Sequence, residues 1–274
     1  MATVLRPLTT GELLDRTFSL YRTHFVLFLS IFAIPHLLIL AFQCMTLEFQ
    51  TPRAGTFELS RVLIGAFLGL GAAILSIVAS AASQAATVIA VSQVHLDRPA
   101  GVIDSFSRVK NQIAGVIGVS LAVGFLAVLA SIAFIIPGVL LMLRWSLAIP
   151  VKVLENKTVG DSMARSGELT RGNRGRIFVI WFLFLVLSIA VNLLLRWPIE
   201  MAAGVKSIFA LQAIGAEWRV AALVATFISE CLVGPLATIA FSLVYFDERV
   251  RKEAFDLQLM MTTLDAPVLQ GSSA

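Results

Sequence analysis

Charge is scarce in this sequence. Asp, Glu, Lys and Arg make up 14% of the 274 residues, against about 25% in soluble domains. Histidine occurs three times, at 24, 36 and 95, with no pair at i,i+3 or i,i+4 and no Cys or carboxylate at metal-ligand spacing. Cys44 and Cys231 stand far apart in apolar segments, which excludes a disulfide framework or a paired-cysteine zinc site. No phosphate-binding glycine loop, nucleophile elbow or zinc-protease motif is present, so neither catalysis nor a cofactor is expected. The net charge of +4 is small and sits in loops, which argues against nucleic-acid binding.

Apolar residues are abundant instead, at 58% of the chain with a mean hydropathy of +0.90. The bilayer is therefore the expected solvent. A spanning helix needs about 20 predominantly apolar residues. Residues 25–47, 62–96, 111–143 and 177–195 contain no Asp, Glu, Lys or Arg, and 220–246 contains only Glu230. The run 111–143 is too long for one crossing and is expected to turn at Pro137-Gly138. This places spans at 25–47, 62–92, 112–134, 138–154, 177–195 and 219–246. The first run is too long for a signal h-region and lacks a small-residue cleavage site, so it reads as a retained span.

The fourth span is marginal on its own. Residues 135–154 hold eleven Ile, Leu and Val residues, worth roughly −3 to −7 kcal/mol on the insertion scale. Arg144 alone costs up to about +3 kcal/mol there. Charge bias nonetheless requires the crossing. With six spans and the N-terminus inside, fifteen Lys and Arg residues fall in inner segments and five in outer ones, as the positive-inside rule expects. The expected location is the cell (inner) membrane, multi-pass, with both termini cytoplasmic. Residues 1–24 read as a cytoplasmic amphipathic segment, 25–260 as the membrane domain and 261–274 as a disordered tail.

Short helices are expected at the inner surface. Thr9 and Glu12 have capping-box spacing, and Leu14, Phe18, Tyr21 and Phe25 share one helical face. The loops "GVIDSFSR" and "TVGDSMAR" repeat Asp-Ser-x-x-Arg. Asp104 with Arg108 and Asp161 with Arg165 therefore stand at i,i+4, each suited to support a short helix. "IAVSQVHLD" (89–97) and "IAFSLVYFD" (239–247) echo each other at the ends of two spans. Arg171, Arg174 and Arg176 cluster where anionic lipid headgroups could be met, or where they simply anchor the inner side. Gly65, Gly69 and Ala73, with Ala114, Gly118 and Ala122, offer small-residue stripes for close helix approach. Ser80 and Gln84 are polar groups that favour a partner helix over lipid.

Three longer stretches carry a resemblance: "LRPLTTGELLDRTFSLYRTHF", "PGVLLMLRWSLAIPVKVLE" running into "DSMARSGELTRGNRGRIF", and "GPLATIAFSLVYFDERVRKEAFDLQLM". Together they resemble the membrane domain found beside some bacterial glycerophosphoryl diester phosphodiesterases, and also as stand-alone integral membrane proteins. The resemblance runs through most of residues 5–260. It implies a polytopic helical bundle without a defined activity. The catalytic domain of those enzymes has no counterpart here, because no soluble segment exceeds about thirty residues, so phosphodiesterase activity does not carry over.

Two charges remain inside the spans, Arg144 and Glu230. Measured along their helices from the outer side they lie roughly 10 and 16 Å deep, at about 1.5 Å per residue, so a pair between them is expected. The leading expectation is a non-catalytic structural or partner-binding membrane module, in contact with the lipid bilayer, its anionic headgroups and a membrane or cytoplasmic protein. The alternative is a small transporter or lipid-handling permease working through the Arg144/Glu230 site.

Overall fold

In the computed structural model, residues 8–49, 59–96, 98–204 and 215–265 are described. They form ten α-helices and, among the described residues, no strand. The protein is an all-α polytopic membrane bundle, with six helical segments long and apolar enough to cross a bilayer. These are α2 (Phe25–Thr46), α3 (Leu59–His95), α5 (Ile113–Ala133), the pair α6 (Ile135–Arg144) and α7 (Ala148–Glu155), α9 (Arg174–Ala202) and α10 (Ala216–Asp265). Short helices α1 (Thr10–Thr23), α4 (Val102–Val109) and α8 (Val159–Leu169) lie between or before them. Successive contacts of α2, α3, α5, α6–α7, α9 and α10 close a ring, and α1 packs on α10 and α2.

The six expected spans coincide with these segments, but the turn before the fourth does not fall at Pro137-Gly138. Phe134 is extended (φ −158°, ψ 142°) and alone separates α5 from α6. Pro137 sits in the first turn of α6, where its missing N–H has no intrahelical role. Gly138 is buried because α6 turns straight back onto α5. A Cβ there would meet Ser131 Oγ and the Ala127 carbonyl oxygen.

The fourth span itself is broken at residues 145–147. Pro150 cannot donate to the Ser146 carbonyl, and α8 folds against the gap. Ser166 Oγ donates to the Arg144 carbonyl at 2.9 Å, and Thr170 Oγ1 donates to the same oxygen at 3.2 Å. The Leu147 N–H in turn donates to Ser166 Oγ at 3.2 Å. Backbone groups freed inside a membrane helix must be satisfied by the protein, and here a neighbouring helix does so.

At α1 the capping box forms: Thr9 and Glu12 bond each other's backbone N–H. The buried face is Leu13, Thr17 and Tyr21, however, and Phe18 is exposed. Thr17 can be buried because its hydroxyl donates to the Leu13 carbonyl at 2.8 Å. The main core joins Leu13, Phe28, Ile31, Val151, Leu169, Ile177, Ile239 and Tyr245, so it binds α1, α2, α7, α8, α9 and α10 together. A second cluster, with Ala85, Val88, Val116 and Val153, seals α3, α5 and α7. Elsewhere the spans present Ile132, Phe134 and Leu194 outward. Gly69 of the expected small-residue stripe faces open space, whereas Gly118 meets Val159 of α8. α10 continues as helix to Asp265, into the stretch expected to be a tail; residues 266–274 lie outside the described residues.

Candidate functional site

The stretch "YFDERVRKE" (245–253) extends α10 past its apolar portion and gathers the other helices around it. Asp247, almost wholly buried, accepts the Leu8 N–H at 2.7 Å, the Arg251 Nε–H at 2.9 Å and a bond from Arg176 Nη1. Arg251 also donates to the Leu8 carbonyl at 2.5 Å. Glu248 is fully buried and accepts Asn173 Nδ2–H at 2.7 Å, with Arg176 Nη1 3.8 Å from its other oxygen. The Tyr245 hydroxyl donates to Glu155 Oε1 at 2.9 Å, and Lys157 Nζ lies 3.0 Å from Glu155 Oε2. Glu253 takes Arg249 at 2.7 Å and Arg165 as well. Lys252 donates to the carbonyls of Glu168 and Arg171 at 2.5 and 2.8 Å, where α8 ends. A cation at a helix C-terminus also complements its dipole.

This charged end joins α1, α7, α8, α9 and α10 through paired carboxylates and cations. It is a closed staple, since Asp247 and Glu248 are buried and each accepts hydrogen bonds from neighbouring segments, Glu248 through one oxygen alone. Chain patterning contained part of it: Asp247–Arg251 and Arg249–Glu253 stand at i,i+4 on one helix. The links to residues 8, 155, 165, 173 and 176 have no such local signal.

The expected site residues separate. Asp104 and Arg108 do pair, at 2.9 Å, on the exposed face of α4. Asp161 and Arg165 do not pair. Asp161 instead completes the cap of α8, accepting from the Thr158 hydroxyl at 2.6 Å while its N–H donates back at 3.2 Å. Arg165 turns to Glu155, Glu168 and Glu253. Arg171 and Arg174 are exposed, whereas Arg176 is drawn into the staple by Asp247 and Glu248 and does not face headgroups.

Arg144 and Glu230 are not brought together. Arg144 is exposed and lies along α8, its Nε 3.0 Å from where a Cβ on Gly167 would be. Glu230 faces α2, where its Oε2 is 3.7 Å from His36 Nε2. Depth counted along two helices misled: Thr170, whose hydroxyl reaches the Arg144 carbonyl, adjoins Arg171, whose carbonyl takes Lys252, so Arg144 lies near a part of α10 that is 22 residues beyond Glu230.

A groove of about 500 Å³ runs between α3 and α5, lined by Ser76, Ser80, Gln84 and Ser120 among Ile77, Leu121, Phe125 and Val128. Ser120 bonds back to the Val116 carbonyl at 3.0 Å. Ser76, Ser80 and Gln84 engage no side-chain hydrogen bond among the described residues. No group of three or more His, Cys, Asp or Glu suited to a metal ion occurs among the described residues.

Comparison with protein-family models, with curated proteins and with solved structures gave no match. The geometry therefore stands by itself. It combines one sealed polar staple at the end of the bundle with two open polar features along the spans, the α3–α5 groove and the α2–α10 seam.

Proposed function

We propose that this protein is a non-catalytic membrane module that holds a partner transmembrane helix, with the α3–α5 groove as the holding surface. One observation carries the reading: Ser76, Ser80 and Gln84 line a groove on a membrane-facing side without hydrogen-bond partners of their own. Lipid tails cannot satisfy such groups, whereas a neighbouring helix can, typically for about 0.5–2 kcal/mol per bond. The apolar walls, Leu121, Phe125 and Val128, supply packing area. The staple fits this role, because a scaffold must present its groove from a rigid frame. The proposed setting is the inner membrane of a bacterium with both termini cytoplasmic, and membership of the diesterase-associated membrane family belongs to the same proposal.

A photoreactive residue placed at Gln84 or Leu121 in native membranes should give one discrete protein adduct. The same probe at Ile132, which is 77% exposed, should give lipid adducts only. Lipid adducts alone at all three positions would overturn the reading. The transport alternative would rest on Glu230 with His36 in place of Arg144, and a purified protein stabilised by one solute would favour it.

A further inference from the structure

The α2–α10 seam sets an imidazole beside a carboxylate within the apolar runs. His36 is 5% exposed, yet it is polar on both ring nitrogens. Its Nδ1 lies 2.8 Å from the Phe32 carbonyl oxygen, which can only accept, so Nδ1 carries a hydrogen. Nε2 is left to face Glu230 Oε2 at 3.7 Å. Glu230 itself is 54% exposed on the outer surface of its span.

At 3.7 Å the two atoms are in ion-pair range and beyond a hydrogen bond. Two arrangements place one proton on the pair, a neutral imidazole facing a carboxylic acid or an imidazolium facing a carboxylate. Each leaves the pair with no net charge. Passage between them breaks one O–H bond and forms one N–H bond, with no further reactant. Loss of that proton leaves a carboxylate opposite a nitrogen lone pair at membrane depth, which is the costly state.

The surroundings hold the imidazole still. The Phe32 ring stacks on it with centroids 5.5 Å apart. Gly234 admits that ring against α10, since a Cβ there would collide with it. Pro35 and Pro235 withhold N–H groups from the helix turns on either side of the pair. Few other titratable groups are near. Within the apolar runs of α2, α3, α9 and α10 these are the thiols of Cys231, next to Glu230, and Cys44, and the phenol of Tyr245; Arg61, Arg196, Glu200, Glu217 and Arg219 stand near the ends of those helices. The charges of α7 and α8 that reach α10 do so at its staple end, outside the seam.

We infer that His36 and Glu230 form an intramembrane proton-binding site, with His36 as the fixed acceptor and Glu230 as the group through which the proton enters and leaves. The site is independent of the α3–α5 groove and stands or falls without it.

The test uses the full chain reconstituted in phosphatidylcholine vesicles and treated with dicyclohexylcarbodiimide, an apolar reagent that modifies protonated carboxyls at membrane depth. Mass spectrometry of the Glu230 peptide reads the adduct across a pH series. Glu230 should be modified in acid and lose modification as pH rises, and E230Q should show no adduct there. H36Q, which can hydrogen-bond but cannot carry the proton, should displace that profile along the pH axis. No Glu230 adduct at any pH, or superimposable profiles for wild type and H36Q, would overturn the site. A nitrogen-15 spectrum of the unaltered protein guards against a variant that does not fold. One imidazole should keep its hydrogen on Nδ1 while its Nε2 signal changes over the pH interval of the labelling. An Nε2 signal constant over that interval overturns the proposal as well.

Discussion

Replacing Asp247 with Ala removes the acceptor at the centre of the staple. The side chain is 2% exposed and meets the Leu8 N–H, Arg251 and Arg176. Arg176 is 14% exposed, and its Nε and Nη2 have no other partner. Deleting one member of a buried ion pair costs about 3–5 kcal/mol, because the other is left buried and uncompensated. Two features place this case at the lower end. Glu248 remains 3.8 Å from Arg176, and Arg251, 31% exposed, can recover water. A loss of about 3 kcal/mol is therefore expected. It should be read by equilibrium unfolding in SDS from mixed micelles, followed by circular dichroism. Arg176→Met and the double variant complete a cycle, with a coupling energy of about 1–3 kcal/mol expected. A cost under about 1 kcal/mol, or additivity within about 0.5 kcal/mol, would refute a buried staple.

Three further outcomes are measurable. Gly234→Ala should destabilise by about 1–3 kcal/mol in the same unfolding assay, because its Cβ meets the Phe32 ring, and Phe32→Leu should restore part of the loss. Tyr21 has a buried hydroxyl without a hydrogen-bond partner, and burial, aided by Cys231, pushes its phenol up to about 12. Its neutral form therefore stabilises fully below the ordinary phenol value of about 10, and that contribution is lost as pH rises through about 12. Tyr21→Phe should be at least as stable at neutral pH and less sensitive to alkali, and an unchanged alkaline denaturation curve would count against this. Reporter fusions near residues 55 and 165 should report opposite sides of the membrane; a shared side would remove the six-crossing topology.

Much of the fold was legible because a bilayer imposes simple demands. Length and apolarity located each candidate span, the fourth included despite Arg144. Caps at Thr9 and Thr158 were legible for a local reason, since spacing alone decides them. What failed was the depth of Arg144 and the choice of which helices lie side by side. The partner of Glu230 depends on α2 lying beside α10, and the partners of Arg165 and Arg176 depend on α10 reaching α7, α8 and α9. Nothing along the chain encodes those neighbours. Asp161–Arg165 fits the i,i+4 rule as well as Asp104–Arg108 does. It loses because Asp161 has a better use at its own helix start and Arg165 has stronger partners nearby.

The gap between α6 and α7 also ties the fourth span to the segment that follows it. The Arg144 carbonyl is satisfied from Ser166 and Thr170, 22 and 26 residues later in the chain. Hydrophobicity alone holds that span only marginally. The short helix α8 is therefore part of the span's own backbone chemistry, closing from outside the helix what Pro150 leaves open within it.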